Sequence, residues 1–187
     1  MKKPVKTFLK MGGIILVLTT VILLILRYNT KAHSPEDTVS YNEKDLKIEV
    51  FYNRPYKKDR DIFGNLVPYN EVWRTGANEA TTFETNKDIM VDGSLLKAGK
   101  YTLWTIPMEN SWKVIFNEKM YPWGINLEEE AYRDPKSDAL VLEVPTQDLR
   151  KTLEQFTIRF DKQNEFVLLK LGWDHTLVSV PIKPEKA

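Results

Sequence analysis

A stretch of 16 residues without a charged side chain, Met11 to Leu26, constrains this chain more than any other feature. It is rich in Ile, Leu and Val. Phe8 and Leu9 extend it across Lys10, whose long stem can reach back to a polar boundary. As an α-helix, Phe8–Arg27 would be about 30 Å long, the hydrocarbon thickness of a bilayer. Lys2, Lys3, Lys6 and Lys10 precede the core of the run, and Arg27, Lys31 and His33 follow it. The expectation is a single-pass membrane protein: a basic tail at 1–7 in the cytoplasm, a transmembrane helix at 8–27, and the remainder outside, because excess Lys and Arg stays on the inner side. A cleaved signal peptide is the alternative, with Thr30-Lys31-Ala32 as its cleavage site. The basic residues crowding that site, and a run longer than a usual signal core, favour an uncleaved anchor. A buried core helix fits the flanking charges badly.

Charge then separates leader from body. The chain has 27 Lys and Arg against 26 Asp and Glu, and residues 1–31 hold six of the basic residues and none of the acids. That leaves 21 basic against 26 acidic residues over 32–187, a formal charge of −5. An acidic body argues against a nucleic-acid partner, since phosphate binding needs a basic face. The absence of Cys excludes disulfides, thiolate metal sites and Cys nucleophiles, and two His make a multi-histidine metal site unexpected. No metal and no cofactor are expected.

Residues 28–46 are polar and without sustained periodicity, which reads as a tether. From 47 to 184 the pattern is that of an all-β domain. Ile48, Val50 and Tyr52, then Trp112, Val114 and Phe116, then Phe156, Ile158 and Phe160 alternate with polar residues, and Phe83 sits among threonines. Tyr101–Ile106, Ala139–Val144, Phe166–Leu171 and Leu177–Ile182 are apolar on both faces, as strands covered on both sides would be. Leu149–Phe156 is the nearest approach to a helical stripe and could form one or two turns. Asp92-Gly93 supplies the pair of residues that a two-residue type I′ hairpin requires. Leu96-Lys97-Ala98-Gly99-Lys100-Tyr101 is similar to a tyrosine corner, in which the hydroxyl bonds back to upstream backbone, and an ordinary core Tyr is the alternative. The expected architecture is an antiparallel two-sheet β-sandwich, with a closed barrel as alternative.

The densest polar cluster is Val72-Trp73-Arg74-Thr75-Gly76-Ala77-Asn78-Glu79-Ala80-Thr81, and Arg54 and Arg60 lie upstream beside turn residues. Guanidinium, carboxamide and carboxylate groups around a Trp can hold a polar ligand by bidentate hydrogen bonds and stacking. The same groups could pin a long connection to a sheet edge, for example through an Arg74–Glu79 pair. The blocks Arg54-Pro55, Arg60, Ile62-Phe63-Gly64, Leu66-Val67-Pro68-Tyr69 and Trp73-Arg74-x-Gly76-Ala77-Asn78-Glu79, continued by Leu96-x-Ala98-Gly99-x-Tyr101, Trp112, Trp123-Gly124 and Trp173, resemble the bacterial domain of unknown function 2911 family over about residues 47–183. The resemblance implies an exported or membrane-anchored domain and no known activity. Two departures stand out: Asp59 where a Gly before Arg60 is expected, and the strongly charged loop Glu128-Glu129-Glu130-Ala131-Tyr132-Arg133-Asp134.

The function expected from these residues is binding in the cell envelope. The ligand would be a glycan, a small polar molecule or an envelope protein, with Arg54, Arg60, Trp73, Arg74, Asn78, Glu79 and Trp123 as candidate contacts. Trp123, in Tyr121-Pro122-Trp123-Gly124, has the best prospect of exposure. A hydrolase would need Glu79, Asp61 and Asp174 to converge, or His175 to serve as base beside an acid, and a purely structural envelope protein needs neither. No G-x-S-x-G, Walker, H-E-x-x-H or EF-hand pattern occurs.

Overall fold

The structure is a computed structural model that describes residues 3–126 and 131–184, with side chains from residue 10. Lys2 and the Glu128-Glu129-Glu130 run therefore lie outside the described residues, as do the side chains of Lys3, Lys6, Phe8 and Leu9.

Helix α1 spans Lys3–His33, and its Lys10–His33 portion is long and apolar enough to cross a membrane. None of that portion's most apolar window is buried against the rest of the chain, and Met11 through Leu26 turn their aliphatic side chains outward. A core helix would bury one face, so the exposed apolar surface is that of a membrane anchor or a signal sequence. Thr19 and Thr20 satisfy their hydroxyls on the carbonyls four residues back, which removes the polar cost of two Thr inside the apolar run.

The chain does not leave the helix as a tether. α1 continues past Arg27 to His33, and β1 (Glu36–Glu43) pairs along its whole length with β2 (Leu46–Asn53), from Glu36 opposite Asn53 to Glu43 opposite Leu46. Sequence periodicity hides β1 because it is an edge strand with only two large apolar residues, Val39 and Tyr41, turned inward. The polar majority of EDTVSYNE suits an edge facing water.

After β2 come β3 (Thr82–Thr85), β4 (Ile89–Val91), β5 (Ser94–Leu96), β6 (Gly99–Pro107), β7 (Ser111–Asn117), β8 (Asp138–Gln163) and β9 (Phe166–Pro184). They form one open antiparallel sheet in the order β1-β2-β3-β6-β7-β8-β9-β4-β5. The two-sheet expectation is thus reached only as far as the mostly-β, antiparallel class, because the ladder continues through β8. The first part of β8 pairs with β7, as far as Pro145 opposite Ser111, and the second part pairs with β9. Between them the register jumps at Asp148/Leu153 and Leu153/Thr157. These bulges explain why Leu149–Phe156 looks helical yet is strand: the extra residues displace the apolar positions from a period of two, and Phe156 still enters the core.

Those bends curl the sheet over one core. Ile48, Phe83, Trp112, Phe156, Leu169 and Ile182, from five different strands, belong to one buried cluster. The β1–β2 end meets the far part of β8: the Tyr52 hydroxyl accepts the Ile158 N–H at 3.0 Å, Tyr41 packs on Phe160, and Lys162 pairs with Glu43 at 2.5 Å. A smaller cluster of Ala80, Trp104, Ile115 and Tyr121 covers the other face of β6 and β7. There β6 is buried on both sides from Tyr101 to Thr105. Val141 and Phe166 are exposed, so Ala139–Val144 and Phe166–Leu171 are covered on one face, against the two-sided expectation. The outer layer over β6 and β7 comes from Val72, Ala80, Tyr121 and Ala131.

Both local turn expectations hold. Asp92 and Gly93 take φ of 46° and 80° at the β4–β5 hairpin, where Val91 faces Ser94. The Tyr101 hydroxyl donates to the Lys97 carbonyl at 2.8 Å, the backward bond of a tyrosine corner. Removing it in Tyr101→Phe should cost about 1 kcal/mol in urea unfolding with an unchanged m-value.

Candidate functional site

The connection from β2 to β3, residues 54–81, carries nearly all the candidate residues and is anchored by single bridges at Tyr56–Gln155 and Trp73–Thr105. Around it opens a cleft of about 730 Å³. Its floor is aromatic. Trp73 stacks on Trp173 with centroids 6.0 Å apart and meets Phe156 edge-on at 4.9 Å, and Trp112 and Phe63 close the cluster beneath. Trp73 is held by its indole N–H, which donates to the Gly76 carbonyl at 3.1 Å. Lys58, Arg60 and Arg74 stand on the lining, with His33 and Ser34 from the end of α1 as one wall.

Both arginines are placed by backbone carbonyls. The Arg60 Nε donates to the Lys57 carbonyl at 2.9 Å, and its Nη2 donates to the Tyr56 carbonyl. Arg74 Nη1 reaches the Trp123 carbonyl at 3.5 Å. Lys58 Nζ lies 3.2 Å from His33 Nδ1. Lys58 and Asp59 both take left-handed φ, 48° and 55°, which folds the loop so that residues 58 and 60 line the cleft. The family's expected Gly at 59 now has a physical reason: the position needs positive φ, which Asp tolerates better than most residues.

The Trp73–Glu79 block therefore divides in two. Trp73, Arg74, Gly76 and Ala77 line the cleft. Asn78 and Glu79 face the helix instead. Asn78 Nδ2 donates to the carbonyls of Thr30 and Ser34 at 3.4 and 3.3 Å, which ties the end of α1 to the β domain. Glu79 pairs with Lys31, and Lys31 also meets Glu36 at 2.6 Å and Asn53 Oδ1 at 2.9 Å. Asn53 Nδ2 returns a hydrogen bond to Glu79 at 3.1 Å. The Arg74–Glu79 pair envisaged from sequence is thus replaced, at Glu79, by a lysine 48 residues away.

Burial raises the Glu79 carboxyl, but the hydrogen bonds from Lys31, backbone and Asn53, with the Lys31 charge, outweigh it and hold the group below its ordinary value of 4.5. A depressed folded-state pKa gives stability that is complete above the unfolded value and lost as pH falls through the folded one. The thermal advantage of wild type over Glu79→Gln should therefore be full at neutral pH and shrink on acidification below about 4.5. Melting curves across that range check it.

The remaining candidates divide similarly. Arg54 is a cross-brace: its Nε donates to the Phe156 carbonyl at 3.3 Å, Nη2 to Thr157 Oγ1 at 3.2 Å, and Nη1 pairs with Asp37 at 3.3 Å. Trp123 is 40% exposed and borders a separate groove with Leu26, Arg27, Thr30, Lys31 and Glu79. Of the carboxylates considered for hydrolysis, none lines the cleft: Glu79 is on the helix side and Asp174 Oδ2 pairs with Lys57 at 3.0 Å. His175 bonds to Leu149 and Thr152 on β8, away from the cleft lining. Among the described residues no group of three or more His, Asp or Glu is placed to hold a metal ion.

Sequence reasoning missed Lys58 as a cleft residue and the helix end as its wall. The one available signal was the conflict at Asp59. Compared with known proteins, residues 34–182 match a family described as a protein of unknown function (DUF2911). The match begins at buried Ser34, just before β1, which agrees with a domain starting ahead of residue 47. No curated protein and no solved structure matches the chain.

Proposed function

The chain belongs to the DUF2911 family, and we propose that it is a single-pass, N-in membrane protein whose extracytoplasmic β domain binds an acidic glycan in the cleft over Trp73 and Trp173. The domain is taken as a sandwich, with the β1–β2–β3–β6–β7 arm and the β8–β9–β4–β5 arm packed across the common core. The observation that carries the function is the lining: the ionised groups supplied by described residues are Lys58, Arg60 and Arg74, with no described Asp or Glu, above an indole floor. A sugar ring would stack on Trp73 while its carboxylate meets a guanidinium in a charge-assisted hydrogen bond.

Calorimetric titration of the full chain in detergent with oligogalacturonate, and with a neutral maltooligosaccharide of equal length, tests this. The acidic sugar should bind, weaken with salt, and lose about tenfold or more in affinity in Arg60→Ala, as expected for a charged hydrogen bond of about 1.5–3 kcal/mol. Equal binding of both sugars, no binding of either, or an unaffected Arg60→Ala removes the reading. Topology has its own measurement: a reporter fused after Ala187 should be active only outside the cytoplasm.

A purely structural role draws on a different observation, the attachment of the helix end by Asn78 and Glu79. That accounts for half of the dense block and does not involve the cationic lining.

A further inference from the structure

The surface that flanks the end of α1 carries an inference of its own. Trp123 is 40% exposed although it sits on a loop with buried neighbours, Tyr121 and Gly124. The groove it borders is made with Leu26 and Arg27, the last apolar residue of the helical run and the first basic residue after it. That placement sets its height. Wherever α1 crosses a bilayer, the Leu26–Arg27 step marks the passage from acyl chains to headgroups, and Trp123 lies beside that step. Tyr28, one residue further along the helix, is 75% exposed and lies at the same level.

We propose that Trp123 and Tyr28 form an aromatic anchor that seats the β domain on the headgroup–acyl boundary of the bilayer crossed by α1. Indole and phenol rings prefer that boundary because each joins an apolar body to a polar handle. Arg27, next to Tyr28 in sequence and beside Trp123 in the groove, supplies a cation at the phosphate level. The attachment of Lys31 to Glu79, Glu36 and Asn53 prevents free swinging of the domain, so the ring of Trp123 keeps its height relative to the helix. One consequence follows for the cleft: with His33 and Ser34 in its wall, it lies next to the membrane surface, and a ligand reaches it along that surface.

The proposal rests on α1 remaining uncleaved in the membrane, and its test separates the two. The chain contains no Cys, so single substitutions Trp123→Cys, Leu24→Cys and Glu143→Cys in the full protein can each carry an environment-sensitive fluorophore. Each labelled protein is reconstituted into phosphatidylcholine vesicles with and without brominated acyl chains. All three side chains are exposed, so the label does not intrude on the core. The expected result is loss of most of the fluorescence at 24 with bromine deep in the acyl chain, loss at 123 with bromine near the headgroup end, and none at 143. Quenching at 24 with residue 123 as insensitive as 143 overturns the seating while leaving the anchor intact. No quenching at 24 overturns the anchor and the seating with it.

Discussion

Trp112→Ala should lower the unfolding free energy by about 3–5 kcal/mol, the range for removing a buried large aromatic. Trp112 is fully buried on β7, packed at 4.8 Å on Phe63 and at 6.2 Å edge-on to Trp73. Two effects combine there. The indole's apolar area returns to water, and the void opens beneath the floor of the cleft, where Phe63 and Trp73 can follow only by leaving their own contacts with Phe156 and Trp173. Chemical denaturation of the wild type and the variant measures the difference. A loss under 1 kcal/mol would mean that the aromatic cluster repacks freely, which dense interiors resist. The Trp112 indole N–H is buried without a partner among the described residues, so part of the lost packing is offset by relief of an unsatisfied donor. Trp112→Phe should accordingly cost much less than Trp112→Ala.

Gly76→Ala is the second large effect, and its cause is backbone. Gly76 has φ of 149°, and a Cβ there would stand 2.9 Å from the Asn53 carbonyl oxygen and 3.2 Å from Thr81 Oγ1. Neither neighbour gives way easily. Asn53 ends β2 and binds Lys31 and Glu79, and Thr81 is buried with its hydroxyl on the Thr75 carbonyl at 2.7 Å. Strained backbone alone costs about 1–3 kcal/mol, and the clash adds to it. Gly93→Ala is the control. Gly93 also has positive φ, 80°, but a Cβ there meets nothing within 4 Å, so only the conformational cost of about 1–2 kcal/mol applies. The excess of Gly76→Ala over Gly93→Ala in thermal and urea unfolding reads the close approach directly. Because Gly76 lines the cleft and accepts the Trp73 indole N–H, this variant should also disturb binding, whereas Gly93→Ala should not.

How much was legible beforehand depended on the range of each signal. The Asp92-Gly93 hairpin is written within two residues, because turn chemistry is local. The six residues ending at Tyr101 allow either a corner or a core Tyr, and the bond to the Lys97 carbonyl decides for the corner. Alternation revealed β2, β7 and the end of β8, since a buried face imposes a period of two on any strand. It failed for β1, whose edge position asks for few apolar residues, and for the middle of β8, where bulges break the period. It also overstated coverage of Ala139–Val144, because an apolar outward residue such as Val141 does not say whether anything lies above it.

For the candidate site, residue type pointed to the correct segment but not to the roles within it. Two residues of one block five positions apart, Arg74 and Glu79, face different surfaces because Thr75 and Asn78 turn the chain through left-handed conformations, φ 57° and 55°.

The amino-acid sequence by itself determined an apolar N-terminal helix, an antiparallel β domain, its local turns and its membership of the DUF2911 family, since composition, periodicity and motif spacing are properties of neighbouring residues. Only the tertiary structure decided that Lys31 meets Glu79, that Arg54 braces β8 rather than lining the cleft, and that Lys58, Arg60 and Arg74 gather around Trp73 and Trp173. The physical reason is that a charge or a ring finds its partner through space. The curl of the sheet at β8 brings together residues about a hundred positions apart, as Arg54 and Phe156 show, and no local pattern records that distance.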